Sequence, residues 1–266
     1  AALLWAVHRA GYQSAFMAPT EILAQQHAQT LRGFLAPFGI NVQLLTGSMR
    51  AKEKAAVKAA LAGGTCSVAV GTHALISEDV VFRKLALAVT DEQHRFGVAQ
   101  RSALRYKGAQ PHLLVMSATP IPRTLEMLVY RDLDISVLDE LPPGREPVDT
   151  FAVTEKLRER LNGFIRKQVE EGHQVFVVCP KVEEGEEDDK KLKSAAEHAL
   201  ELQKLFPEYK IACVHGRMKP KEKDAVMAAF AAGDTDILVS TTVVEVGVDV
   251  PNAALMIVEN AERFGL

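Results

Sequence analysis

Leu85-Ala-Leu-Ala-Val-Thr-Asp-Glu-Gln-His94 runs from apolar residues straight into two adjacent carboxylates. A short apolar run that stops abruptly at charge is the pattern of a strand buried on both faces as it reaches the edge of a parallel sheet. Open parallel sheets place their ligands at the carboxyl ends of their strands. This stretch therefore sets both the expected architecture and the place to look for chemistry. One carboxylate can hold the hydration shell of Mg2+ beside a nucleotide's phosphates, while its neighbour, on the strand's other side, orients or deprotonates an attacking water. Two other readings stand beside this one. A strand-end loop with exposed charge is the commoner meaning of an isolated Asp-Glu pair. A two-metal or zinc hydrolase could use Asp91 and His94 as ligands, although no His-rich partner segment accompanies them.

Outward from this strand, short apolar runs alternate with amphipathic stretches, the pattern of βα units that build parallel sheets. Strands are expected at Ser14–Ala18, Val42–Leu45, Ser67–Val70, Leu85–Thr90 and Leu113–Ser117, with helices at Glu21–Leu35, Ala51–Leu61, Val98–Tyr106 and Arg123–Val129. Ala1 to Arg9 reads as a helix already under way. Asp139-Glu-Leu-Pro-Pro-Gly-Arg-Glu-Pro147 can continue neither a helix nor a central strand. The expected division is thus a first domain over 1–141, a Pro-rich linker over 142–147 and a second domain over 148–266. In the second half the alternation resumes, with strands at Val175–Cys179, Ile211–His215, Asp236–Ser240 and Leu255–Glu259 and a helix at Lys219–Ala232. The charge run from Glu183 to Lys191 reads as a solvated loop, since like charges resist burial.

The 266 residues, 48% of them hydrophobic, suffice for two cores. Against 31 basic side chains stand 34 acidic ones, a net charge of −3, so no global basic field draws the chain to nucleic acid. Any DNA contact has to come from local groups such as Arg50/Lys52/Lys54/Lys58 and Arg217/Lys219/Lys221/Lys223, each also readable as the solvated face of a helix. With aromatics at 6% and one Trp, base stacking is not the expected main grip. Cys66, Cys179 and Cys213 form no CxxC pair and sit in or beside apolar runs, which fits buried, reduced thiols in the cytoplasm. No apolar run approaches the roughly 18 residues that span a bilayer.

Two more strand ends carry hydroxyls. Met116-Ser-Ala-Thr-Pro120 places Ser117 and Thr119 on a tight turn, where they could relay the state of the Asp91/Glu92 site, or Thr119 could simply cap the next helix. In Met17-Ala-Pro-Thr-Glu21, Thr20 is placed to cap the helix that begins at Glu21, and a helix N-terminus also binds anions.

In order, Ala18-Pro-Thr-Glu21, Gly71-Thr-His73, Asp91-Glu-Gln-His94, Ser117-Ala-Thr119 and the Ser240 to Asp249 string resemble the motifs of superfamily-two helicases. Asp91-Glu-Gln-His-Arg-Phe-Gly97 and Ser117-Ala-Thr-Pro-Ile-Pro-Arg-Thr124 are similar to the group that includes the transcription-repair-coupling translocases. Glu140-Leu-Pro-Pro-Gly-Arg145, Val214-His-Gly-Arg-Met-Lys-Pro220 and Val244-Glu-Val-Gly-Val-Asp-Val-Pro-Asn252 resemble the branch of that group that acts on forked DNA. The resemblance implies two tandem RecA-like domains with parallel sheets, the first incomplete at its N-terminus and the second at its C-terminus. It implies ATP and Mg2+ as cofactors, with Asp91 holding the metal, Glu92 as catalytic base, and His94 with Gln93 coupling hydrolysis to movement. Ser117 and Thr119 would link the nucleotide site to DNA. Thr20, Thr72, His215 and Thr241 would lie along the DNA, and Gly247 and Asp249 would approach the nucleotide. The implied partner is branched or forked duplex DNA, handled by a monomer in fork regression and branch migration.

The same resemblance calls for a Gly-rich loop ending in Gly-Lys-Thr/Ser and a late Gln-x-x-Gly-Arg-x-Gly-Arg string, and the 266 residues contain neither. ATP hydrolysis by this segment alone is therefore expected near background. A transcription-repair-coupling motor is the alternative within the enzyme class, and a non-hydrolytic α/β interaction module the alternative outside it. No GxGxxG follows a strand, which argues against a nicotinamide-binding domain.

Overall fold

Parallel strands have to be joined by crossovers, usually helices, and the chain supplies them in a regular series. The computed structural model describes residues 1–92, 104, 107–117, 134–140, 147–180, 195–241 and 250–264. The chain divides into two compact units, Ala1–Asp139 and Glu140–Leu266. Residues 142–146 of the expected linker over 142–147, the charge run 183–191, and the expected helices over 98–106 (apart from the buried Leu104) and 123–129 lie outside the described residues.

In the first unit the order is α1 (Ala2–Arg9), β1 (Gln13–Met17), α2 (Glu21–Leu35), β2 (Val42–Leu45), α3 (Ala51–Gly63), β3 (Val68–Gly71), β4 (Leu85–Thr90) and β5 (His112–Val115). The strands form one parallel sheet in the order β2-β3-β1-β4-β5. Because successive side chains alternate faces, Phe16 packs with Leu23, Ala24 and Leu31 of α2 on one side. Ala15 and Met17 pack with Val57 and Leu61 of α3 on the other. A sheet covered on both faces needs strands with no polar side, and β1, β3 and most of β4 are fully buried. Helix α2 starts where Thr20 Oγ1 accepts the Leu23 N–H (3.3 Å), the cap the sequence leads one to expect. Helix α3 starts where the Glu53 carboxylate accepts the Arg50 N–H (3.2 Å).

The second unit runs α4 (Arg158–Glu170), β6 (Gln174–Cys179), α5 (Ala195–Leu205), β7 (Ile211–Val214), α6 (Pro220–Ala231), β8 (Ile237–Thr241) and β9 (Ala253–Val258). Its parallel sheet has the order β7-β8-β6-β9. Strand for strand this repeats β2-β3-β1-β4. The likeness extends to side chains. Gln13, opening β1, donates from Nε2 to Leu61 O (3.0 Å) and Cys66 O (2.8 Å), and Gln174, opening β6, donates likewise to Phe230 O (2.6 Å) and Thr235 O (2.7 Å). Thr46-Gly-Ser-Met-Arg-Ala-Lys-Glu-Lys54 is matched by His215-Gly-Arg-Met-Lys-Pro-Lys-Glu-Lys223, and in each the last lysine bonds the glycine carbonyl.

Two helices escaped the reading of the sequence. Helix α4 buries a single residue, Ile165, so its apolar stripe is too thin to register. Helix α5 adjoins the charge run, which masks its start. Of the three cysteines, Cys66 and Cys179 are buried and Cys213 half-buried. Burial pushes the Cys66 thiol up to about 11 and the Cys179 thiol to about 12.

Candidate functional site: the carboxyl ends of the first sheet

The sequence-derived site residues of the first unit gather along one edge of its sheet. Register pairs Met17 with both Gly71 and Thr90, and Thr90 with Val115, so the residues just after β1, β3, β4 and β5 share that edge. They include Thr20, Thr72, Asp91, Glu92 and Ser117. From β1 the chain goes to the edge strand β2, returns inward to β3, then crosses to β4 and β5 on the other side. The change of direction falls beside β1, where open α/β sheets bind ligands, and Asp91 lies there with its N–H bonded to Met17 O (2.9 Å).

Both Asp91 carboxylate oxygens are engaged. Oδ2 is 2.7 Å from His27 Nε2 on α2, and Oδ1 accepts the Glu92 N–H (3.0 Å). Each oxygen keeps a lone pair to spare. Glu92 follows with φ +48°, a left-handed conformation uncommon outside glycine and costing about 1 kcal/mol or more. It turns the chain sharply out of β4, and its side chain is half-buried beside Asp91.

On the other side of β1 from Asp91, Gly71 lets β3 approach β2 at a distance no other residue allows: a Cβ there would lie 2.1 Å from Leu45 O. The next residue, Thr72, is 1% exposed and its hydroxyl has no hydrogen-bond partner in the structure. A cleft of about 420 Å3 lined by Leu45, Lys54, Lys58, His73 and Ser77 opens next to it. In the second unit, Thr241 at the end of β8 occupies the place of Thr72. It too is buried with an unpartnered hydroxyl. His215 follows β7, half-buried. Two unpaired hydroxyls at matching strand ends are unusual, since buried polar groups are ordinarily bonded.

Gln93, His94, Thr119, Gly247 and Asp249 lie outside the described residues. The basic clusters are less open than their composition indicates, because Lys54 and Lys223 clasp glycine carbonyls and Lys58 pairs with Asp79. Lys58, with Ser77, holds the Asp79 carboxyl down to about 2. Among the described residues no three His, Cys, Asp or Glu side chains gather as a metal cluster, and no helix is long and apolar enough to cross a membrane.

His27 was not read as a site residue. The signal was present: it falls on the α2 stripe that buries Leu23, Ala24, Ala28 and Leu31, and a polar group on a buried stripe needs a partner. The second unit holds an equivalent group. Glu259, after β9, has its N–H on Val178 O (2.9 Å), as Asp91 has on Met17 O. Arg158 Nη1 donates to its Oε1 (2.6 Å), and His198 Nε2 stands 3.5 Å from the same oxygen. That last contact is a charge proximity, not an aligned bond, since His198 Nε2 has no hydrogen-bond partner. Burial alone would raise the Glu259 carboxyl; His198 and Arg158 outweigh it and hold the group below its usual value.

Residues 1–128 match the model of the DEAD/DEAH box helicases, and residues 154–263 match that of the helicase conserved C-terminal domain. The class is thereby a helicase motor of two RecA-like α/β domains. The ATP-dependent DNA helicase RecG of Escherichia coli (strain K12) is 51% identical over 261 residues, 96% of this chain and 37% of that protein. The RecG of a Synechocystis species is 50% identical over 256 residues, 96% of this chain and 31% of that protein. A structure of RecG bound to a three-way DNA junction matches with a TM-score of 0.77 at 46% identity, covering 96% of this chain and 33% of that one. The chain belongs to the RecG family of helicases. It spans about a third of the length of these relatives. Yeast Dbp5 bound to RNA shares the fold alone, at 16% identity and a TM-score of 0.62.

Proposed function

We propose that this chain is the motor segment of an ATP-dependent DNA helicase that acts on branched DNA in recombination and repair, regressing forks and migrating branches. The observation that carries the proposal is Asp91, held at both oxygens at the switch point of the sheet, followed by Glu92 in a strained turn. The donor set fits Mg2+, which takes one or two carboxylates together with phosphates and water. Asp91 would hold that ion, whose charge offsets the negative charge of the phosphates. Glu92 accepts the proton of the attacking water and orients it for attack on the γ-phosphate. Gln93 and His94 couple hydrolysis to movement, Ser117 and Thr119 connect the nucleotide site to DNA, and Gly247 and Asp249 approach the nucleotide.

Thr20, Thr72, His215 and Thr241 serve the DNA track. The hydroxyls of Thr72 and Thr241 are buried and unpartnered, so each keeps a donor in reserve that DNA would reach only once the strand end is opened. Backbone contacts of this kind position the protein without reading sequence. The motor works as a monomer in the cytoplasm.

Branched DNA as the substrate rests on the relative solved with a three-way junction. ATP hydrolysis by the full-length protein, measured at one fixed salt concentration because phosphate-dominated binding is salt-sensitive, should be stimulated more by forked than by linear duplex of equal length. Equal stimulation by the two would remove branch preference from the proposal. Stimulation by neither would remove the motor itself.

A further inference from the structure

Asp91 is oriented by a side chain from another element. His27 sits on the buried stripe of α2, its ring packed on Phe16 with centroids 4.6 Å apart, and its Nε2 lies 2.7 Å from Asp91 Oδ2. An ionised carboxylate only accepts hydrogen bonds, so Nε2 is the donor. With Glu92 N–H on the other oxygen, the carboxylate is fixed in one rotation about its Cβ–Cγ bond.

The second unit sets a histidine and a carboxylate at the same places on the same scaffold, without the aligned hydrogen bond: His198 Nε2 stands 3.5 Å from Glu259 Oε1. Ala24-x-x-His27-Ala28-x-x-Leu31 on α2 corresponds to Ala195-x-x-His198-Ala199-x-x-Leu202 on α5, and Glu259 corresponds to Asp91. There the carboxylate bonds the Arg158 guanidinium, a fixed cation that occupies the place another cation would need. The histidine is thus common to both copies. In the first, His27 takes one lone pair of Oδ2 and the Glu92 N–H one of Oδ1, and the second lone pair of each oxygen stays available to a cation.

We propose that His27 is a positioning residue for the metal-holding carboxylate: by donating to Asp91 Oδ2 it turns the remaining lone pairs toward the nucleotide's Mg2+. The proposal rests on the reading of Asp91 as the Mg2+ holder. The imidazole does not bind the ion. Groups that hydrogen-bond a ligating side chain typically govern 10–100-fold in metal affinity or activity.

The test uses the full-length protein. His27→Met and His27→Leu remove the donor while keeping an apolar side chain against Phe16, and His27→Gln returns an N–H near the place of Nε2. Two quantities are read: the Mg2+ concentration that half-saturates DNA-stimulated ATP hydrolysis, and the affinity of Mn2+ for the nucleotide complex by electron paramagnetic resonance. Thermal melting identifies which variants are folded. His27→Met and His27→Leu should each raise half-saturating Mg2+ about tenfold and weaken Mn2+ in parallel, with kcat at saturating metal changed much less. His27→Gln should recover most of the loss. Unchanged metal dependence in a folded donor-free variant, or equal impairment in His27→Gln, overturns the proposal. Asp91→Asn separates the two levels. If it shifts metal dependence while His27→Met does not, only the role of His27 fails; if it shifts nothing, the reading of Asp91 fails.

Discussion

Glu259 shows at the scale of one residue how the second unit uses a carboxylate that the first leaves available. With Arg158 and His198 against it, its acid form is disfavoured in the fold, so its pKa lies below the ordinary 4.5. A carboxyl depressed on folding contributes stability that is present above its unfolded pKa and is lost as pH falls through the folded one. The second unit should accordingly lose stability from about pH 4.5 downward. Arg158→Met should make that part of the acid profile shallower, since it removes one of the two groups, His198 and Arg158, that lower the carboxyl. Urea midpoints followed between pH 3 and pH 7 check this, and an Arg158→Met profile parallel to that of the unaltered protein would contradict it. At the same scale, the place of Asp91 and Glu92 at the end of β4 was legible because the apolar run stops there at charge, although an isolated Asp-Glu pair more often marks an exposed loop. His27 was not, because its partner lies 64 positions away in sequence and nothing near it in the chain is charged to match.

Among the elements, those with a dense apolar pattern were readable to the residue: Val42–Leu45, Leu85–Thr90 and Glu21–Leu35 hold the bounds the sequence predicts. Strand ends whose last residues are small or polar shifted, as at β3, which runs to Gly71. In the first group the buried apolar residues run to the ends of the element or, at α2, a cap marks its start, and the second reflects that ladder hydrogen bonds extend past the apolar run. Gly71 is where packing leaves no latitude. Gly71→Ala should destabilise the first unit by about 1–3 kcal/mol or more, because the added methyl meets Leu45 O and Leu75. Gly63→Ala, near the end of α3 with open space around it, should instead stabilise by about 0.5 kcal/mol through the lower entropy of its unfolded chain. Denaturant midpoints of the two variants should move in opposite directions. Shifts of the same sign would show that the close approach of β3 to β2 is not as described.

Taken whole, the molecule is one α/β unit made twice, with the same strand order, the same glutamine at the head of the first strand and the same Gly-to-Lys loop clasp. The alternation of short apolar runs announced two α/β domains, but the internal likeness is spread over short matches separated by unlike segments, so it emerges from geometry first. What differs between the copies is the acid after the fourth strand of the series: Glu259 is bound to Arg158, whereas Asp91 is held by a histidine and an amide. The proposed site of hydrolysis accordingly lies in the first copy. The most direct measurement is ATP turnover by full-length protein carrying Glu92→Gln, alongside nucleotide and forked-DNA affinity at fixed salt. Glutamine keeps the size of the side chain but cannot take a proton. Turnover should fall by about a hundredfold or more, with both affinities within about twofold of the unaltered protein. Near-normal turnover in Glu92→Gln would contradict the assignment of the Asp91-Glu92 strand end as the site of hydrolysis.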